Sequence, residues 1–227
     1  MENNYYDKDR IAKAIKAGQH RTVIGGKWDE VGPWQFEYMR AQGLGPDQSL
    51  IDIGCGSLRG GVHFIDYLAA HKYYGFDINY PLITAGLEHE ISAETRAAKI
   101  DMDNFAGAEN FAYPDHWRNI DAALSISLFS HLNFNSIKEC LLQTWKVLRP
   151  GAIYYTTLFC VDRAELLKPV SQFKNIDSHF HKDPFHYSYE DVWFMAESTG
   201  YDLLDVKDCG HARNLKMARL QRRELWV

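Results

Sequence analysis

The chain has 227 residues, of which 46% are hydrophobic and 24% charged, a balance typical of a folded domain with a buried core and not of a disordered chain. Its net charge of −5 argues against a nucleic-acid-binding surface, which needs an overall basic balance or a basic stripe. The first residues lack the apolar core of a signal peptide, and no apolar stretch approaches membrane-spanning length. We therefore expect no nucleic-acid partner, no membrane association and a cytoplasmic location.

The cysteines support the same location. They stand far apart and form no CxxC pair: Cys55, Cys140, Cys160 and Cys209. This spacing predicts reduced thiols in an intracellular protein, and not a disulfide framework or a zinc site.

Residues 1–48 are predicted to form an N-terminal helical segment. The stretch "DRIAKAIKAG" has helical spacing and ends at Gly18, a residue type that commonly follows a helix. A glycine-rich turn, "VIGGKWDEVGP", separates it from a second helical pattern in "WQFEYMRAQGLG". The segment is expected to act either as a lid or as a dimerisation surface, and the sequence leaves both open.

From residue 49 onward, predicted strands and helices alternate. Strands are expected in "LIDIG", "KYYGFDI", "AENFAY", "IDAALSIS" and, after a turn, "RPGAIYYTTLF". Helices are expected in "GGVHFIDYLAA", "PLITAGLEHEISAETRAA", "FNSIKECLLQTWKVL" and, after a loop, "SYEDVWFMAESTG", where Ser188 and Asp191 fit a capping box. Two strands, "YDLLDVKD" and "NLKMARLQ", close the chain.

This order predicts an α/β fold for residues 49–227. Alternating strands and helices give a Rossmann-like, doubly wound sheet that is mostly parallel and covered on both faces. The last two strands have no helix between them, so they predict an antiparallel C-terminal edge strand. In such sheets ligands bind beyond the carboxyl ends of the strands, where the strand order reverses.

The most informative stretch is "SLIDIGCGSLRGG", residues 49–61, where a buried strand runs into a glycine-rich loop. Such a loop lets a ligand approach the backbone closely. Gly54 and Gly56 fit the dinucleotide pattern G-x-G-x-x-G, but Arg59 occupies the third glycine position. Asp77 ends the second strand, where a carboxylate can accept hydrogen bonds from both ribose hydroxyls of an adenosine. This pair of features suits either NAD or S-adenosylmethionine.

The strand also carries Asp52, and "IDIGCG" resembles the hhDhGxG signature of class I S-adenosylmethionine-dependent methyltransferases. The resemblance continues in order through residues 49–159, with "NIDAALSISLFSHL" as the fourth-strand motif and "WKVLRPGAIYYTT" as the following helix, turn and fifth strand. Leu58 stands where many members have a third glycine. More narrowly, "DIGCGSLRGG", "YYGFDIN", "SLFSHL", "DPFHY" and "GHARNLKM" together resemble a bacterial small-molecule subgroup of the family.

The resemblance implies that S-adenosyl-L-methionine is the cofactor. Gly54 and Gly56 match the methionine-binding loop, and Asp77 matches the ribose acid. Arg59 is expected either to aid the methionine carboxylate or to pair with a neighbouring acid. The full set of expected cofactor-binding residues is Asp52, Gly54, Cys55, Gly56, Arg59, Asp77, Ile78, Glu109, Asn110, Ser125, Trp28 and Gln35, of which Glu109 and Asn110 are placed near adenine and Trp28 and Gln35 in a lid.

A hydroxyl or ammonium acceptor needs a base to remove its proton, and histidine has a suitable pKa. His131 follows the fourth strand, where the acceptor should meet the methyl group; its alternative is a helix-entry histidine bonded to backbone. His186 and Tyr187 are expected on the same rim. His211 is a further catalytic candidate, although a structural role for it and for Arg213 in their turn is equally compatible with the sequence.

Absent motifs narrow the substrate. No N-P-P-[FY] motif follows the fourth strand, which weighs against amino-group methylation of adenine or glutamine. No Pro-Cys pair offers the nucleophile of cytosine methylation. Serines, at positions 125, 127 and 130, stand where metal-dependent catechol methyltransferases need carboxylates, so no metal is expected. We therefore expect a small-molecule or sugar-like acceptor methylated on O or N, and a homodimer is compatible with the chain. The alternatives are a non-catalytic methyltransferase-fold binding subunit and an NAD-dependent oxidoreductase. A further alternative, an RNA methyltransferase, would need a basic surface, and the sequence shows none.

Overall fold

The structure is a computed structural model that describes residues 4–174 and 176–224. The helices of this part of the chain are α1 (Lys8–Lys16), α2 (His20–Val23), α3 (Trp28–Ala41), α4 (Gly61–Tyr67), α5 (Tyr80–His89), α6 (Ala93–Lys99), α7 (Phe134–Val147) and α8 (Tyr189–Glu197). Its strands are β1 (Leu50–Ile53), β2 (Tyr73–Phe76), β3 (Phe105–Ala106), β4 (Ile120–Ser125), β5 (Leu148–Cys160), β6 (Val170–Phe173), β7 (Ile176–Ser178), β8 (His186–Tyr187), β9 (Tyr201–Asp208) and β10 (Lys216–Arg222).

The main sheet has the strand order β3-β2-β1-β4-β5-β10-β9. Strands β1 to β5 are mutually parallel, whereas β10 runs antiparallel to both β5 and β9. This confirms the mostly parallel sheet with an antiparallel C-terminal edge, and β10 lies between β5 and β9. The order reverses between β1 and β4, so a crevice opens at the carboxyl ends of these two strands.

Both faces of the sheet are covered because side chains of a buried strand alternate between them. On one face, Ile51 and Ile53 of β1 belong to an apolar cluster with side chains of α7 and α8. On the other face, Leu50 belongs to a cluster with side chains of α3, α4 and α5. Helix α3 is therefore part of the core, and α1 and α2 lie against α5.

Three local predictions need correction. The predicted helix over residues 81–98 is two helices, because Ser92 accepts a hydrogen bond from the Thr95 amide and starts α6. The third strand is not in "AENFAY" but at Phe105–Ala106. It stops before Gly107, where an added Cβ would lie 2.4 Å from the Asp77 carbonyl oxygen. The loop after β5 also contains the hairpin β6–β7, and β8 pairs with β5.

The predicted glycine-rich turn is shorter than expected. It ends at Lys27, with a left-handed φ of 51°, and α3 already begins at Trp28. Gly32 within this helix lies so close to the glycine loop that an added Cβ would be 2.5 Å from the Arg59 carbonyl oxygen. A small residue here lets α3 pack directly onto the loop after β1. No helix in residues 4–174 or 176–224 combines the length and the apolar character needed to span a membrane.

Candidate active site

A cavity lies at the carboxyl ends of β1, β2 and β4, in the crevice created by the reversal of strand order. Its walls come from the loop after β1, from residues 77–78 after β2 and from residues 126–128 after β4. Tyr5 from the N-terminal segment and Arg213 from the β9–β10 loop complete the lining. The fold therefore brings together residues more than 200 positions apart in the sequence.

The glycine loop needs glycine for two reasons. Gly54 and Gly56 have φ values of +75° and +55°, which side chains other than glycine rarely adopt. An added Cβ would also lie 3.2 Å from Leu128 at Gly54 and 2.9 Å from Ile24 at Gly56. Leu58, at the position where the resemblance leads one to expect glycine, has a left-handed φ of 67°, a conformation that glycine adopts readily.

Asp77 joins the end of β2 to this loop. Its Oδ2 accepts a hydrogen bond from the Gly56 amide at 2.9 Å, and its Oδ1 accepts one from the Asn79 amide at 2.8 Å. Burial raises the pKa of Asp77 to about 6, against the lowering effect of these two amides. Each carboxylate oxygen can accept a further hydrogen bond, so Asp77 retains capacity for two ribose hydroxyls.

Asp52 lines the cavity beneath the loop. Only 4% of the residue is exposed, and its Oδ2 accepts a hydrogen bond from the Tyr73 hydroxyl at 2.9 Å. Burial raises the pKa of Asp52 to about 7, although the Tyr73 hydroxyl and the Arg59 charge lower it in part. Asp52 therefore anchors the floor of the loop through β2.

Most of the other expected cofactor residues also line the cavity: Cys55, Arg59, Ile78, Glu109 and Gln35. Burial raises the pKa of the Cys55 thiol well above its usual value, so this cysteine is an apolar wall. Gln35 lies across Gly60, where an added Cβ would be 1.3 Å from its Nε2 atom. Glu109 pairs with Lys8 at 3.1 Å.

Three expected cofactor residues lie elsewhere. Ser125 is buried in the sheet, where its hydroxyl donates to Thr156 Oγ1 at 2.7 Å. Ser127 lines the cavity instead, because it lies beyond the end of β4, where the chain turns with a left-handed φ of 61°. Asn110 accepts a hydrogen bond from the amide of residue 112 and is outside the lining. Trp28 packs under the Arg21 guanidinium, 4.6 Å from its ring centroid, and is likewise outside the lining.

His131 ends a short 3₁₀ turn after β4 and lines the cavity. Its Nδ1 lies 2.7 Å from Asp183 Oδ1, and its ring meets the ring of Tyr5 edge-on at 5.3 Å between centroids. If Nδ1–H donates to the Asp183 carboxylate, Nε2 keeps its lone pair. Sequence reasoning missed Asp183 and Tyr5; their only signals are an acid in "KDPFHY" and a tyrosine pair in a polar N-terminal stretch.

His186 and Tyr187 require correction, because both are buried outside the cavity lining. His186 Nε2 donates to the Leu166 carbonyl at 2.8 Å, and Nδ1 accepts from the Ser178 hydroxyl at 2.8 Å. The Tyr187 hydroxyl donates to the Leu132 carbonyl, and burial raises its pKa. Both residues of β8 therefore tie the loop after β5 to the sheet.

His211 lies behind the cavity wall. Its Nδ1 accepts a hydrogen bond from the Arg213 amide at 3.1 Å, and its Nε2 is 3.2 Å from the Ser127 hydroxyl. Burial, and then the charge of Arg213, lower the pKa of His211 to about 4, so the ring is neutral at pH 7. This arrangement matches the structural alternative: His211 orients Ser127, which itself lines the cavity with a left-handed φ of 61°.

In residues 4–174 and 176–224, no group of three or more His, Cys, Asp or Glu side chains is arranged to hold a metal ion. All four cysteines, which fall within these ranges, are free thiols.

Comparison with known proteins identifies a methyltransferase domain within the chain. Residues 51–154 match the family model of a methyltransferase domain. A solved structure of an S-adenosylmethionine-dependent methyltransferase from Methanosarcina mazei is 16% identical with a TM-score of 0.59, over 82% of this chain and 97% of that chain. Magnesium protoporphyrin IX methyltransferase from Synechocystis, solved with bound S-adenosylmethionine, is 11% identical with a TM-score of 0.65, over 98% of each chain.

Human N-acetylserotonin methyltransferase, in complex with S-adenosylmethionine, is 13% identical with a TM-score of 0.65, over 94% of this chain and 59% of that chain. At these identities the structural likeness shows a shared fold, whereas the match over residues 51–154 identifies the domain. The glycine loop and Asp77 lie in this matched region and line the cavity. Residues 51–154 are a methyltransferase domain, and the chain has the fold of S-adenosylmethionine-dependent methyltransferases.

Proposed function

We propose that this enzyme methylates an O or N atom of a small-molecule or sugar-like acceptor without a metal ion, with His131 as the general base. One observation carries the proposal: the cavity that holds the cofactor residues also contains His131, whose Nδ1 is 2.7 Å from the Asp183 carboxylate. The base and the cofactor site therefore share one space, as methyl transfer requires.

The chain's own residues fit S-adenosylmethionine, which supplies a methyl group on a sulfonium when bound. The backbone of Gly54 and Gly56 lines the cavity and suits its methionine part, and Asp77 suits the ribose hydroxyls. Arg59 lies in the same loop and suits the methionine carboxylate. Ile78 and Phe111 offer apolar surface for the adenine ring.

His131 has the partners that a general base needs. Asp183 accepts the Nδ1 hydrogen, which directs the lone pair to Nε2 and stabilises the ring once Nε2 has taken a proton. Nε2 would remove the proton from an acceptor hydroxyl or ammonium as the nucleophile attacks the methyl group in line. His186 has both ring nitrogens bonded to protein outside the cavity lining, and His211 is buried, so neither is placed to act on an acceptor.

The N-terminal segment suits the lid role better than the dimerisation role. The Asn79 side-chain amide donates to the Tyr5 carbonyl at 2.9 Å and fixes the segment beside Asp77. The Tyr5 ring then lies against His131 in the cavity. A lid at this position would exclude water from the reacting groups.

Two observations support the acceptor class, and a third supports metal-independent transfer. The names of two structural neighbours specify small molecules, a magnesium porphyrin and N-acetylserotonin. The net charge of −5 does not favour a nucleic-acid acceptor. Ser125, Ser127 and Ser130 follow or end β4 where metal-dependent members need carboxylates, which favours metal-independent transfer.

The test is a methyl-transfer screen with radiolabelled S-adenosylmethionine and a panel of hydroxylated and amino small molecules. For any acceptor found, His131→Gln should lower the rate about 100- to 10,000-fold, the usual contribution of a general base. Its affinity for S-adenosylhomocysteine should change less than about threefold, since His131 serves the acceptor. His116→Gln, an exposed histidine outside the cavity lining, is the matched control and should keep full activity.

Two results would contradict the proposal. If His131→Gln keeps the wild-type rate, the base lies elsewhere. If S-adenosylhomocysteine binds but no acceptor class is methylated, the non-catalytic binding subunit becomes the better account.

A further inference from the structure

Two guanidinium groups, those of Arg59 and Arg213, face the cavity without a carboxylate partner. The ion pairs within residues 4–174 and 176–224 include neither of them. Arg59 is 7% exposed; its Nη1 donates to the Gly26 carbonyl at 2.9 Å, and its buried Nε has no hydrogen-bond partner. Arg213 donates through Nη2 to the Gly25 carbonyl.

These two cations repel each other. Burial and, after it, the neighbouring charge of Arg213 together lower the pKa of Arg59 to about 10. His211, two residues before Arg213, is neutral at pH 7 and therefore does not offset the charge of either guanidinium group. A cavity with two crowded, unpaired guanidinium groups is therefore built to receive anions.

The acids of the cavity already have partners. Asp52 is bonded to the Tyr73 hydroxyl, and Asp77 to two backbone amides. Asp183, outside the cavity lining, is bonded to His131, and Glu109 pairs with Lys8. The charge of Asp52 acts on Arg59, whereas no ion pair within the described residues reaches Arg213, so Arg213 is the guanidinium group left for a bound anion.

S-adenosylmethionine carries one carboxylate, together with a positive ammonium and a positive sulfonium. Arg59, which belongs to the cofactor loop, is placed to pair with that carboxylate, and Arg213 then remains. We propose that the methyl acceptor carries an oxyanion, a carboxylate or a phosphate, which Arg213 binds. This inference rests on the proposed function, because it names the substrate class of the same site.

The position of Arg213 fits an acceptor contact. It shares the cavity with Tyr5, Ser127 and His131, the residues on the acceptor side. Its planar guanidinium can bind both oxygens of a carboxylate or phosphate at once, which fixes the orientation of the bound molecule. An acceptor held in this way presents its nucleophile at a fixed distance from the anchored anion, within the space lined by His131.

The test uses two probes of the same shape and different charge, 4-hydroxybenzoate and 4-hydroxybenzamide. Each is titrated by calorimetry into protein saturated with S-adenosylhomocysteine. We expect the acid to bind at least tenfold more tightly than the amide. Arg213→Gln should abolish this preference and Arg213→Lys should keep part of it, whereas Arg118→Gln, an exposed arginine outside the cavity lining, should leave it unchanged.

Phenyl phosphate and benzoate, titrated in the same way, distinguish the two sources of the oxyanion: the tighter ligand identifies the group that Arg213 prefers. Equal binding of 4-hydroxybenzoate and 4-hydroxybenzamide to the wild type overturns the inference. So does an Arg213→Gln variant that loses as much affinity for S-adenosylhomocysteine as Arg59→Gln, since Arg213 would then serve the cofactor. Failure of the wild type to bind S-adenosylhomocysteine at all is a different result, and it contradicts the proposed function itself.

Discussion

The cofactor half and the acceptor half of the cavity are built in different ways. The proposed cofactor half comes mainly from two short segments, residues 52–60 and 76–78, and backbone amides of the glycine loop join the two. The Gly54 amide donates to the Phe76 carbonyl at 2.7 Å, and the Gly56 amide donates to Asp77. The acceptor half is assembled from Tyr5, residues 127–131 and Arg213, which are distant in sequence.

The difference predicts how each half responds to substitution. In the acceptor half, the contacts join one side chain to another, as in His131–Asp183 and Ser127–His211. Changing these side chains should alter the chemistry while the cofactor loop stays in place. In the cofactor half, a change of side chain also disturbs the backbone that positions the ligand. Measurements of rate and of cofactor affinity should therefore separate the two halves.

Among the substitutions that test this comparison, Asp183→Asn is expected to have the largest effect on the rate of methyl transfer. A neutral amide no longer stabilises the protonated His131 ring and can hold the wrong tautomer, so the methyl-transfer rate should fall about 100-fold. Affinity for S-adenosylhomocysteine, measured by calorimetry, should change less than about threefold. Asp162→Asn, an exposed acid outside the cavity lining, is the control. A wild-type rate in Asp183→Asn would remove the histidine–aspartate pair from the mechanism.

A smaller effect, on stability alone, is expected for His186→Ala. The substitution removes one hydrogen bond from the Ser178 hydroxyl and one from the Leu166 carbonyl, which should lower the free energy of unfolding by about 2 kcal/mol. Urea denaturation measures this change. The affinity for S-adenosylhomocysteine should remain at the wild-type value under conditions where the variant is folded. A large loss of methyl transfer without loss of stability would show that His186 acts in the reaction after all.

The smallest expected effect is a pH dependence confined to the cofactor half. The ribose hydroxyls need the ionised form of Asp77, whose pKa is raised to about 6 by burial. Affinity for S-adenosylhomocysteine should therefore be nearly constant above that pH and should fall about tenfold per pH unit well below it. Calorimetry between pH 5 and 8 checks this, and Asp77→Asn should bind weakly with little pH dependence. An affinity that rises as the pH falls would contradict the assignment of Asp77.

The cofactor half could be predicted from sequence because its requirements are local. A left-handed turn needs glycine at positions such as Gly54 and Gly56, and a strand that ends in an acid places Asp77 at a known edge of the sheet. Even Leu58, which departs from the family pattern, keeps the backbone conformation that glycine usually provides.

The acceptor half could not be predicted in this way, because tertiary packing decides whether a side chain is buried and which way it points. His131 and His186 are both polar residues near the ends of strands, and sequence alone does not separate them. The path of the chain after β5 does so: β8 buries His186, whereas Asp183, three residues earlier, reaches His131. Tyr5 enters the cavity through a contact with Asn79, 74 residues away, for which the sequence carries no signal.

The most direct test of the account is a calorimetric titration of S-adenosylhomocysteine, and of NAD, into the wild type and Asp77→Ala. The account predicts micromolar or tighter binding of S-adenosylhomocysteine to the wild type and none of NAD. Asp77→Ala lacks the carboxylate that bonds the ribose and the Gly56 amide. The variant should therefore bind S-adenosylhomocysteine at least about 100-fold more weakly, while circular dichroism shows that it remains folded. Binding of NAD alone, or equal affinity of S-adenosylhomocysteine for both proteins, would contradict it.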